Sequence, residues 1–147
     1  MSILEQLVED QNTAMRAKEK LRLGVIRYLR SELKNAEIAK KQPLTQEEVV
    51  EVLQREIKRR KEVLADYERA QRPELLTELK EEINIIKNYL PPQMTETEIR
   101  EIARNVLEEQ GVTSKKEFGK VMKAVMSQVK GKADGALVKK VVENMLE

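Results

Sequence analysis

The sequence predicts an all-α protein. Three observations carry that reading. Apolar residues recur at spacings of three and four, and no stretch alternates apolar with polar as a strand would. In addition, a hydroxyl residue followed three positions later by Glu stands ahead of several apolar runs. That pair satisfies two otherwise unpartnered amides at a helix N-terminus. Ser2/Glu5, Thr45/Glu48, Thr95/Glu98 and Ser114/Glu117 all have the spacing.

The elements follow in order. Ser2/Glu5 opens a first run. Over 19–40 the stripe is Leu21, Val25, Leu29, Leu33 and Ala36. Val49, Val50, Leu53, Ile57, Leu64 and Tyr67 make the next, and Leu76, Leu79, Ile83, Ile86 and Leu90 another. Then come Ile99/Ile102/Ala103/Val106/Leu107, Phe118/Val121/Met122/Val125/Met126/Val129, and Leu137/Val138/Val141/Val142/Met145/Leu146. Gln42-Pro43, Arg72-Pro73, Pro91-Pro92, Gly111 and Gly131 punctuate the runs. Pro73 suits the first turn of its helix, where the missing N–H is harmless. Pro91-Pro92 divides long helices from short ones. The expected organisation is an N-terminal helical domain, 1–90, a hinge at the double proline, and a small three-helix tail domain, 95–147.

Composition excludes much chemistry. A chain of 147 residues with 40% hydrophobic content can bury a core. Zero Cys removes disulfides and thiolate chemistry, and zero His removes the usual neutral-pH proton shuttle and most zinc sites. With one Phe, three Tyr and no Trp, an aromatic base-stacking surface is not expected. No run of apolar residues is long enough for a membrane span. Glu5, Glu9 and Asp10 interrupt what would be an apolar signal core, so a soluble cytoplasmic protein is expected. Phosphate-binding glycine loops are missing. Glu81-Glu82 reads as a solvated helix face, because neighbouring helical residues point in different directions. Thr113, Ser114 and Ser127 have no His partner and read as caps or surface groups. No catalytic residue, metal site or cofactor is expected.

Charge is more informative by region than in total. The chain holds 28 Lys+Arg against 26 Asp+Glu, a net of +2. Residues 111–147, however, hold eight Lys against four acids, a net of +4. On a helical wheel Lys116, Lys120, Lys123 and Lys130 fall opposite the stripe from Phe118 to Val129, as one continuous basic face. Such a face is the footprint of a phosphate-backbone binder. Gly131 suits a left-handed helix end, and Asp134 suits the cap of the last helix. Lys130 and Lys132 flank that turn, although Asp134 would occupy the amides a phosphate needs. A second basic stripe, Arg16, Lys20, Arg27, Arg30 and Lys34, is expected to be neutralised by neighbouring Glu residues, as is the cluster Arg55-x-x-Lys58-Arg59-Arg60-Lys61.

Several of these segments also carry a resemblance. Glu117-Phe-Gly-Lys-Val-Met122, Val129-Lys-Gly-Lys-Ala-Asp-Gly135 and the closing Val138-x-x-Val-Val resemble the tail domain of the GatB/YqeY family. Met1-Ser-Ile-Leu-Glu5, Leu53-Gln-Arg-Glu-Ile-Lys-Arg-Arg60 and Tyr89-Leu-Pro91 are similar to the free-standing YqeY-like members. The likeness spans essentially the whole chain. Ser127 departs from the Pro frequent at that position in the family, and it lets the helix run on.

The resemblance implies an all-α fold with a helical domain and a small helical tail. It also implies tRNA as a partner, since the tail of GatB, the amidotransferase B subunit, contacts tRNA while a separate domain does the chemistry. The favoured expectation is a non-catalytic tRNA-binding or tRNA-metabolism accessory protein using Lys116, Lys120, Lys123, Lys130, Lys132 and Lys140. The alternative is a helical adaptor for a synthetase or an amidotransferase subunit. A family label of carbon–nitrogen ligase activity with glutamine as amido-N-donor comes third, because the sequence gives it no residues to run on.

Overall fold

A computed structural model describes residues 1–147 as seven α-helices and one 3-10 turn, with no strand. The helices gather into two compact units, Met1–Leu90 and Pro91–Glu147.

The first unit holds α1 (Ile3–Arg16), α2 (Lys20–Lys40), α3 (Gln46–Arg69) and α4 (Pro73–Lys87). Ser2 and Thr45 make reciprocal capping boxes with Glu5 and Glu48, so α1 and α3 begin where the local chemistry dictates. Pro73 opens α4. α1 has no apolar stripe among those read from the sequence. It buries Ile3, Leu7 and Ala14, which share one helical face but are too few to stand out as a stripe. α1 packs chiefly on α2, and α3 on α4. Leu7, Ile26, Leu29, Leu33, Leu53 and Ile86 fill the core between them.

Two polar devices tie this unit together. The Tyr89 hydroxyl donates to an Asp10 carboxylate oxygen at 2.5 Å, and Arg22 lies 3.7 Å from the same carboxylate. Burial, then the hydrogen bond to Asp10 and its charge, push the Tyr89 hydroxyl well above the ordinary phenol range, so it stays a donor. The second device is Glu56, 1% exposed on the apolar side of α3. Arg59 and Arg60 meet it at 3.1 and 3.0 Å, and Arg60 also reaches Glu82 of α4 at 3.3 Å.

The second unit holds α5 (Glu96–Gln110), a 3-10 turn (Lys115–Glu117), α6 (Phe118–Val129) and α7 (Gly135–Met145). Thr95 and Glu98 form a third capping box. Its separate core is Ile99, Ala103 and Val106 of α5, Val121, Val125 and Val129 of α6, and Val138, Val141 and Val142 of α7. Gly111 ends α5 at φ 63°, a left-handed conformation that Gly adopts without strain. The Glu147 amide donates to the Thr113 carbonyl at 2.8 Å, and the Lys115 amide donates to the Glu147 carbonyl at 3.0 Å. This backbone clasp fixes the loop ahead of α6.

Candidate nucleic-acid interface

α6 is a short amphipathic helix whose sequence contains no acidic residue. Val121, Val125 and Val129 are fully buried, which turns Lys120 and Lys123 outward to solvent. The Ser127 hydroxyl donates to the Ala124 carbonyl at 2.8 Å, and the helix continues past it to Val129. Neither Lys120 nor Lys123 makes an ion pair, so both ammonium groups face water with their charge uncompensated.

The other four lysines are placed differently. Lys116 is exposed, but it belongs to the 3-10 turn and not to α6. Ser114 accepts the Lys116 amide at 3.2 Å, two residues on, instead of forming a capping box with Glu117. Lys130 is the C-cap of α6, at φ −52° and ψ 126°, outside the helix. The continuous four-lysine helix face expected from the wheel is therefore two helical lysines with one flanking residue at each end. The clasp to Glu147 sets the start of α6 later than the capping pattern implies, and the turn toward Gly131 ends it one residue sooner.

Lys132 follows Gly131, whose φ of 78° makes the left-handed turn. The Lys132 carbonyl accepts the Met94 amide at 2.7 Å, which anchors the backbone while the side chain stays exposed. Asp134 caps α7 by accepting the Ala136 amide at 3.1 Å, so the α7 N-terminus already has its anion. Lys140 lies on α7, exposed, one turn before Glu143. The structure thus joins Lys120 with Lys123, sets Lys116, Lys130 and Lys132 in the adjoining turns, and leaves Lys140 on another helix.

Charge in this unit is sorted by helix. Residues 91–110 carry five acids against Arg100 and Arg104, so the whole unit has a net charge of +1 and not the +4 of residues 111–147 alone. Glu96, Glu98, Glu101, Glu108 and Glu109 are all exposed on α5, where Glu96 pairs with Arg100 at 3.1 Å.

The sequence profile of the family described as Yqey-like protein matches residues 4–146. The chain belongs to the YqeY-like family. A curated relative of this YqeY-like chain is "Altered inheritance of mitochondria protein 41, mitochondrial" of Pyrenophora tritici-repentis (strain Pt-1C-BFP). It is 30% identical over 149 residues, covering 98% of this chain and 81% of the relative. No helix of the YqeY-like chain is long and apolar enough to cross a membrane.

Elsewhere, no group of three or more acidic side chains is placed to hold a metal ion. Glu82, expected with Glu81 on a solvated helix face, is instead half-buried and the partner of Arg60. In the cluster Arg55–Lys61, Arg59 and Arg60 are matched to Glu56, as expected. The stripe on α2 is not. Arg16 belongs to α1, while Lys20, Arg27 and Lys34 of α2 meet no acid, and Arg30 donates to the neutral amide of Gln11 at 2.5 Å. The expected neutralisation fails: Glu32 and Glu37 of α2 make no ion pair with these side chains, even though Glu37 borders Arg30 and Lys34 on the helix. What sequence reasoning missed, then, is an uncompensated basic face in the first unit.

Proposed function

We propose that this protein is a tRNA-binding accessory factor whose C-terminal unit grips the tRNA backbone. The observation that carries the reading is the acid-free outer face of α6, with Lys120 and Lys123 exposed and unpaired. Lys116, Lys130, Lys132 and, more remotely, Lys140 supplement it in this reading. The resemblance of the tail segments to the tRNA-contacting tail of GatB supplies the class of ligand. Binding of this kind follows shape and phosphate spacing more than base sequence. The proposed role is non-catalytic, since amide transfer requires a nucleophile and phosphoryl chemistry for which no residue set is assembled.

The test is a titration of tRNA against wild type and a Lys120→Glu/Lys123→Glu variant at two salt concentrations. The variant should lose at least about tenfold in affinity, and its salt slope should fall by roughly 1.5 to 2. Helical content should be retained, because both side chains point away from the apolar stripe and Glu is a good helix former. Equal affinities, or no salt dependence, would discard the tRNA reading. An adaptor for a synthetase or amidotransferase subunit would then lead, with the exposed Val8 and Met15 of α1 as its apolar contact.

A further inference from the structure

α2 presents an outer face unlike the rest of the first unit. At 100° per residue, the arc running from Arg30 through Leu23, Lys34, Arg27, Lys20 with Ile38, Ser31, Gly24 and Asn35 to Tyr28 covers roughly 160° of the helix. It contains no acid: Glu32 and Glu37 project outside it. Lys20, Arg27 and Lys34 are exposed without an ion pair, and Arg30 is held only by the Gln11 amide. Ser31 and Asn35 add exposed hydroxyl and amide donors.

Beside this rail lies a groove of about 560 Å³ lined by Lys20, Gly24 and Tyr28 of α2, Arg60 of α3, and Glu78 and Glu82 of α4. Gly24 costs α2 about 1 kcal/mol of helix propensity relative to Ala, and nothing lies within 4 Å of where its Cβ would be. The helix backbone is therefore bare at the groove. Next to it the Tyr28 ring is 42% exposed, with the Arg60 guanidinium 5.2 Å from its centroid. Arg60 is itself fixed by Glu56 and Glu82, so the ring is backed by a rigid cation. The groove is electrically lopsided. Its α2 wall carries Lys20 beside Leu21 and Val25, and its α4 wall carries the Glu82 carboxylate and the exposed, unpaired carboxylate of Glu78.

We propose that the outer face of α2 and this groove bind a single-stranded RNA segment, with phosphates along Lys20, Arg27, Arg30 and Lys34 and one unstacked base laid against Tyr28 over Gly24. The proposal rests on the tRNA-binding reading above only for the class of ligand, and it concerns a different unit. Guanidinium groups with hydroxyl and amide donors suit phosphate and sugar oxygens. Glu78 and Glu82 repel phosphate, which keeps the backbone on the α2 side and turns the base edge toward the carboxylates. Carboxylates accept hydrogen bonds and offer none, so the groove favours a base with a donating edge. Guanine donates two N–H groups from one edge, whereas uracil donates one. The face offers little for a lipid bilayer, since Ile38, 64% exposed, is its one large exposed aliphatic side chain.

The experiment is fluorescence-anisotropy titration of the full chain with two labelled RNA single strands of about twelve nucleotides. One strand is all uridine and the other carries a single central guanosine. Wild type should bind the guanosine strand several-fold more tightly. Arg27→Glu/Arg30→Glu should weaken both strands at least about tenfold and lower the salt slope by roughly 1.4. Tyr28→Leu should reduce the guanosine strand to the affinity of the uridine strand and leave the uridine strand nearly unchanged. Circular dichroism of each variant controls for folding. Lys120→Glu/Lys123→Glu is titrated in parallel against both strands and against tRNA. Loss of tRNA binding in that variant, with single-strand binding untouched by Arg27→Glu/Arg30→Glu, would overturn the α2 proposal and leave the tail reading standing. Loss of single-strand binding on α2 alone supports the present proposal whatever the tail does. Equal affinity for the two strands, or capture by phosphatidylserine vesicles without RNA binding, would also overturn it.

Discussion

Glu56 occupies a place on α3 where its neighbours Leu53 and Ile57 are apolar and buried, and taking a carboxylate out of water there is expensive. Two guanidinium groups offset that cost. The one on Arg59 is largely solvated, whereas the one on Arg60 is mostly enclosed. Arg60 also joins α3 to α4 through Glu82 and backs the Tyr28 ring of α2, so one planar cation touches three helices. Arg60→Ala is therefore expected to destabilise the first unit by about 3 kcal/mol, because it leaves the buried Glu56 charge with only the largely solvated Arg59 as partner. Glu56→Leu combined with Arg60→Met should be close to neutral, since both charges leave together. Chemical denaturation of the two variants checks this, and equal destabilisation by both would argue against an electrostatic origin. The sequence expectations did not single out Glu56, although it stands between Leu53 and Ile57 of an apolar stripe. Its partners were not legible either, because Arg59 and Arg60 look alike in sequence and only α4 decides which is enclosed.

At the scale of the helix, the N-terminus of α3 is held by chemistry that protons can remove. The Lys40 ammonium, followed by the Thr45 backbone amide, holds the Glu48 carboxyl down to about 2. A folded-state value below the ordinary carboxylate range contributes stability that is fully present above pH about 4.5 and is lost as pH falls toward 2. Glu48→Gln keeps a side chain able to complete the capping box but removes the charge. The stability difference between wild type and Glu48→Gln should thus be largest near neutrality and vanish toward pH 2, as read from denaturant midpoints across that range. A difference that does not change with pH would assign the effect to shape. The three capping boxes that formed were visible as sequence patterns, and so were the apolar stripes of α2 through α7. Ser114/Glu117 has the same pattern and made a 3-10 turn instead, because the deciding hydrogen bonds come from Glu147, more than thirty residues away. The same distant contact displaced Lys116 from the helix, which is why the candidate interface could be read only in outline.

For the whole molecule, the governing fact is that the two hydrophobic cores have no residue in common. The C-terminal core is built mostly from valines and alanines, and a unit that small buries a modest fraction of its surface. Val125→Ala should cost about 2 kcal/mol there. Amides of α5, α6 and α7 that exchange by opening of this unit should then exchange roughly thirtyfold faster, while the slowest amides of α2 and α3 keep their rates. Hydrogen exchange followed by mass spectrometry separates the two sets of peptides, and equal acceleration in both would mean the units unfold as one. The division at Pro91 could be read from the double proline and the change in helix length. The sorting of charge within the second unit could not be read from residues 111–147 alone, since the balancing acids precede them on α5. That sorting has a kinetic consequence. A body with most of its acids on one helix and most of its lysines on others separates charge even at a net charge of +1. Near a polyanion it experiences a torque before it experiences much pull, and screening confines that torque to the last ~8 Å of approach at physiological ionic strength. The tail would arrive already turned, lysines leading, so that collisions are rare but seldom the wrong way round.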